Sequence, residues 1–164
     1  MTNVNPFTGE VVNSTEVQVV PRTNKFDDMG FNLVADMTTA QAQFCSIVPK
    51  TDDEKASLFN MINDPDKRIA DCINMTINAK NLYIEVVECT NEQTQEKTSC
   101  PRIVIIDDKG VSYQAVSVGI YSALKKVIQF YGTPDKWTKP IGLEVKQVTK
   151  GNRKMLTLNI AKNK

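Results

Sequence analysis

The stretch IADCINMTINAKNLYIEVVEC, residues 69–89, decides how the chain folds. In IADCINMTI the apolar side chains Ile69, Ile73, Met75 and Ile77 fall on odd positions. In LYIEVVEC the apolar set Leu82, Ile84 and Val86 falls on even ones. Successive side chains of a strand point to opposite faces, so a change of parity turns the buried face outward unless the strand is interrupted. The change falls across NAKN (78–81) and predicts a bulge or sharp bend within one long strand.

Downstream of a polar loop at 90–99, PRIVIIDDKGVSYQAVS (101–117) reads as two short β-rich runs joined by Asp108-Lys109-Gly110, a hairpin signal. SVGIYSALKKVIQFYG (117–132) changes to helical spacing. Ile120, Tyr121, Leu124, Val127, Ile128 and Tyr131 line one face, while Lys125, Lys126 and Gln129 point away. Gly132 and Pro134 end the helix. A linker, TPDKWTKP, then leads to the hairpin IGLEVKQV/KMLTLNIA, closed by the basic turn TKGNR. Long bent strand, strand, strand, helix, strand, strand is the connectivity of an OB-fold, a five-stranded barrel with its helix between strands 3 and 4. That mainly β barrel is favoured over an open α+β sheet with the same strands.

Upstream, TDDEKASLFNMIND (51–64) carries a capping box, Thr51 with Glu54, and is stopped by Pro65. TTAQAQFCSIV (38–48) reads as a short helix ending before Pro49, and EVQVV (16–20) as a strand within a loosely held extension. The expected division is an N-terminal extension over 1–50 and an OB-fold nucleic-acid-binding domain over 51–164.

Composition narrows the function. Histidine is absent, which removes imidazole-based triads and most catalytic zinc sites. No Walker-type loop and no G-x-G-x-x-G occurs. Four cysteines without C-x2-C spacing suit neither a disulfide scaffold nor a zinc knuckle, although Cys89 and Cys100 flank one loop. Neither enzymatic activity nor a cofactor is expected. No apolar run has the length of a membrane span and no signal peptide begins the chain, so a cytoplasmic protein is expected.

Charge points to a partner. The chain holds 20 basic and 19 acidic residues, yet residues 109–164 hold 11 basic and only 2 acidic. Such asymmetry suits a polyanion. OB-folds bind oligomers across strands 2 and 3 and use the 1–2 and 4–5 loops as jaws. The 4–5 loop here concentrates Lys150, Arg153 and Lys154 at one tip, with Lys146 on the strand leading to it. Arg102 and Lys109 add cations on the second strand and its turn. Trp137, beside Lys139 in the linker, is a candidate for stacking on a base or for plugging the barrel end. Tyr83, opposite the apolar series of its strand, and Tyr113, on the third strand, are further candidates, with Tyr113 equally suited to the core. Without a helix-turn-helix or a zinc module, single strands fit better than duplex.

IDDKGVSYQAVSVGIYSALKKVIQFYGTPDKW and the following TKPIGLEVKQVTKGNRKMLTLNI resemble the single-stranded DNA-binding proteins of bacteriophages and related mobile elements, as does FNMINDPDKRIADCINMTINAKNLYIEVVE before them. The resemblance spans roughly residues 55–162. It implies a replication or recombination accessory that coats single-stranded DNA in the bacterial host cytoplasm with little sequence preference, in the company of replication or recombination proteins. Cellular single-strand binders commonly end in an acidic tail, whereas this sequence ends in NIAKNK. Two other readings stay open: an assembly module that binds an acidic protein partner, and a metal-dependent nuclease using the aspartates.

Overall fold

The computed structural model describes residues 43–162. The EVQVV segment and the start of the 38–48 run lie outside them. In chain order the elements are β1 (Gln43–Cys45), α1 (Asp52–Asn63), β2 (Lys67–Arg68), β3 (Thr76–Thr90), β4 (Lys97–Asp107), β5 (Ser112–Val116), α2 (Val118–Tyr131), β6 (Ile141–Lys150) and β7 (Arg153–Ile160). Short 3-10 turns precede β3 (Ile69–Cys72) and follow α2 (Pro134–Lys136).

The strands form one sheet in the order β2-β5-β4-β3-β6-β7, with β1 added to β3 beyond β6. The five longer strands therefore lie third-second-first-fourth-fifth, as in an OB-like half-barrel. The described sheet has seven strands, which corrects the expected count of five. β1 and β2 are the additions, three and two residues long. Gln43–Cys45 was expected in a helix but pairs antiparallel with β3, because Phe44 enters the core opposite Ile84. Among the described residues β5 and β7 do not pair, so the barrel is not closed by hydrogen bonds.

The helix α2 lies against β7 instead. Ala161 N–H donates to the Gly142 carbonyl (2.8 Å), so the odd-numbered residues of β7 bond to β6 and the even-numbered ones turn their backbone outward. Leu156 aims its carbonyl at the first turn of α2, where a Cβ on Gly119 would strike it. Glycine thus permits the approach that covers this sheet edge. Ser117 caps the helix, accepting from Ile120 N–H (3.2 Å). Ile120, Tyr121, Ala123, Leu124, Val127 and Ile128 are buried, whereas Tyr131, expected on the apolar face, is half exposed at the last turn.

These helix residues meet Ile77, Ala79, Leu82, Ile84, Ile103, Ile105, Leu143, Val145 and Leu158 from the sheet. Each such aliphatic side chain contributes about 1.5–3 kcal/mol on burial. Ile77 and Ala79 face the core on odd positions, Leu82 and Ile84 on even ones. The register shift lies between Ala79 and Asn81, within the NAKN where the parity change predicts it. Residues 69–72, read as the start of that strand, form the 3-10 turn.

The turns follow their sequence signals. Thr51 and Glu54 form the capping box of α1. At the β4–β5 turn Asp107 Oδ1 accepts from Lys109 N–H (2.9 Å) and Val111 N–H (2.8 Å), and Gly110 takes the positive φ. β2 is held to β5 by a reciprocal pair. Ser112 N–H and its hydroxyl both donate to Asp66 Oδ2 (2.9 Å each), and Asp66 N–H donates to Ser112 Oγ (3.0 Å). The backbone donor first, then the hydroxyl, holds the Asp66 carboxyl below its usual range. A depressed folded-state pKa gives stability that is present above the unfolded value of about 3.9 and is lost as pH falls through the folded one. Asp66→Asn should therefore flatten the acid limb of a stability–pH profile; an unchanged limb would deny the carboxylate this role.

Candidate nucleic-acid interface

The strands that position the candidate residues divide them into three groups. β6 runs from Ile141 to Lys150, so its ends lie about 30 Å apart at ~3.3 Å per residue. The linker bearing Trp137 and Lys139 enters at one end and the basic tip closes the other.

At the tip, Lys150 and Arg153 are directly opposed across a two-residue turn, Gly151-Asn152, with Gly151 at positive φ. Both are exposed, and neither has a carboxylate partner among the described residues. Like charges facing each other across strands disfavour folding. Lys154 pairs with Thr149 and so projects from the opposite face of the hairpin. Lys146 shares the face of Lys150 but is half-buried, paired with Glu144 (2.7 Å) and donating to Asn74 Oδ1 (3.3 Å).

The second group sits on the outer face of β3, β4 and β5, where OB-folds receive their ligands. Here the side chains already hold one another. Arg102 donates to Glu85 Oε1 (2.9 Å), to Gln114 Oε1 (3.3 Å) and to the Ile62 carbonyl at the end of α1. The Tyr83 hydroxyl donates to Glu85 Oε2 (3.0 Å), and burial together with that carboxylate pushes its phenol up to about 12. Val104 and Ile106 on this face are buried. Arg102 thus ties α1 to the sheet, and Tyr83 is half-buried beneath it.

Tyr113 belongs to the core cluster. Its hydroxyl donates to Asp107 Oδ2 (3.1 Å), and burial followed by that hydrogen bond lifts its pKa to about 12. The Lys67 ammonium stands 5.7 Å from its ring centre.

The third group gathers where the β3 bulge, the β4–β5 turn and the linker meet. Asp108 N–H donates to the Asn78 carbonyl (3.1 Å), which brings exposed Lys109 to this end of β3. Trp137 packs against the core, and its indole N–H donates to the Gly132 carbonyl (2.9 Å), fixing the ring. Lys139 is exposed beside it. Lys80 and Asn81 also lie here. The alternation missed both, because only the bulge puts them on one face.

Cys89 and Cys100 occupy adjacent strands one step out of register, since Cys89 pairs with Thr98 and Cys100 with Val87. Both are free thiols, with Cys89 raised to about 11 by burial and the neighbouring Cys100. Among the described residues no group of three or more Cys, Asp or Glu could hold a metal ion, and no helix is long and apolar enough to cross a membrane.

An OB-like sheet with an exposed cationic hairpin defines a nucleic-acid-binding class of protein. The family model of the phage single-stranded DNA-binding protein, of the phi29 phage type, matches residues 37–161, and the chain belongs to that family. Its partner is accordingly single-stranded DNA. Comparison with curated proteins gives no match, and comparison with solved structures gives none.

Proposed function

We propose that the protein coats single-stranded DNA with little sequence preference during phage or mobile-element replication or recombination, acting by binding and without a catalytic step. The observation that carries this reading is the Lys150–Arg153 pair. Two exposed cations opposed across a tight turn, with no described carboxylate beside them, repel each other until an anion lies between them. A phosphate backbone supplies that anion whatever the base sequence, and counterion release supplies much of the affinity. Lys154 behind the tip and Lys109 at the far end extend the cationic track. Arg102 acts in this reading as a positioning residue for α1, and Tyr113 as a core residue.

The proposal is tested by competition in which a labelled oligonucleotide is displaced by unlabelled single strands of different sequence and by polyglutamate. Single strands of equal length should compete within about tenfold of one another, as phosphate contacts carry no sequence information. Displacement by polyglutamate at equal charge would favour an acidic protein partner instead. Shortening of the oligonucleotide upon addition of Mg²⁺ would revive the nuclease reading.

A further inference from the structure

The core-facing residues Ala79 and Leu82 leave two positions between them, Lys80 and Asn81, and both lie on the outer face. A regular strand would have sent one of them inward. The bulge instead sets an ammonium and an amide side by side at the mouth of a cleft of about 170 Å³. Its other walls are Pro134, Trp137, Lys139 and Pro140. At roughly 30 Å³ per water this is room for about six waters, below the ~300 Å³ at which drug-sized ligand pockets begin. A single planar ring fits its scale.

The polar groups are matched to such a ring. Ser46 Oγ donates to Asn81 Oδ1 (3.1 Å), which fixes the amide and leaves its two N–H donors without a partner among the described residues. No described carboxylate pairs with Lys80 or Lys139, and the cleft has no acidic residue in its lining. Trp137 is held by the Gly132 carbonyl, so it can receive a base without first being ordered.

We propose that this cleft seats one nucleobase of the bound strand: Trp137 stacks on it, the Asn81 amide donates to a base carbonyl, and Lys80 and Lys139 take the flanking phosphates. The inference rests on the single-stranded DNA reading and adds to it a second anchor, about 30 Å from the basic tip at ~3.3 Å per residue of β6. A base with a carbonyl edge, such as thymine, suits the amide.

Trp137 is the only tryptophan, so its emission reports on this cleft alone. The full chain is titrated with fluorescein-labelled oligo-dT, and anisotropy and tryptophan emission are read in the same samples. Emission should be quenched along the anisotropy curve. Trp137→Ala should weaken binding roughly 5- to 150-fold and Trp137→Phe much less. Because Trp137 also packs on the core, Lys80→Ala provides the independent check: removing one phosphate ligand should lower the salt slope by about 0.7. Anisotropy that rises with unchanged emission and an unchanged Lys80→Ala slope would overturn the cleft while leaving DNA binding intact. Anisotropy that never rises would overturn both.

Discussion

Replacing Lys150, Arg153 and Lys154 together by Ala should weaken single-stranded DNA binding by two to three orders of magnitude at about 50 mM salt, and flatten the logarithmic salt slope by about 2. Each phosphate neutralised contributes about 0.7 to that slope for a single strand, so three contribute about 2.1. Extrapolated from 1 M, where released counterions add nothing, to 50 mM, this amounts to roughly 500-fold. Lys150→Ala with Arg153→Ala should account for two thirds of the slope change, because these two share a face and Lys154 projects behind them. Folding should not suffer, since the three side chains are exposed and the opposed pair is relieved of its repulsion. The check is fluorescence anisotropy across a salt series, with a thermal melt of each variant. An unchanged slope would remove the tip from the interface.

Arg102→Ala should do the reverse, destabilising the fold while leaving the salt slope alone. The Arg102 side chain is 16% exposed and its partner Glu85 29%. Its removal strands the Glu85 carboxylate, the Gln114 amide oxygen and the Ile62 carbonyl. Breaking a fully buried pair costs roughly 3–5 kcal/mol; here the residual solvent contact of Glu85 brings the expected cost to about 2–3 kcal/mol. For a chain of this size that is a fall of about 5–10 °C in Tm. Chemical denaturation measures the cost, and the same anisotropy series measures the slope. A stable variant whose slope falls by about 0.7 would make Arg102 a phosphate ligand.

These two variants mark the limit of what alternation and composition reveal. The bulge was legible because parity is a property of consecutive residues, and it appears at Ala79/Asn81, inside the predicted NAKN. The capping box of α1 and the Asp-Lys-Gly turn were legible for the same reason, being local hydrogen-bond patterns. β1 and β2 were not, as three and two residues are too short to show a period, and each exists only through its partner strand. The open barrel escaped notice because closure depends on whether β5 reaches β7, which α2 prevents by lying along β7.

The site followed the same division. Lys150 and Arg153 could be named from a turn rich in charge, and they are exposed and opposed as that turn implies. Arg102 looks equally cationic in sequence, but its partners lie 17, 12 and 40 residues away. Tyr113 suited both the core and a ligand by alternation; the Asp107 carboxylate beneath its hydroxyl decides for the core. Trp137 was visible as an aromatic between lysines. Its neighbours Lys80 and Asn81 were not, because the linker that brings the indole to the bulge begins more than fifty residues later.

The central claim is that this chain binds single-stranded DNA through its phosphates, and one measurement bears on it most directly. Anisotropy of a labelled single-stranded oligonucleotide is followed at several salt concentrations, with duplex of equal length in parallel. The account predicts tighter binding to the single strand and an affinity that falls linearly with log salt, with a slope of at least about −2 from the tip alone. Equal affinity for both forms, or an affinity indifferent to salt, would contradict it.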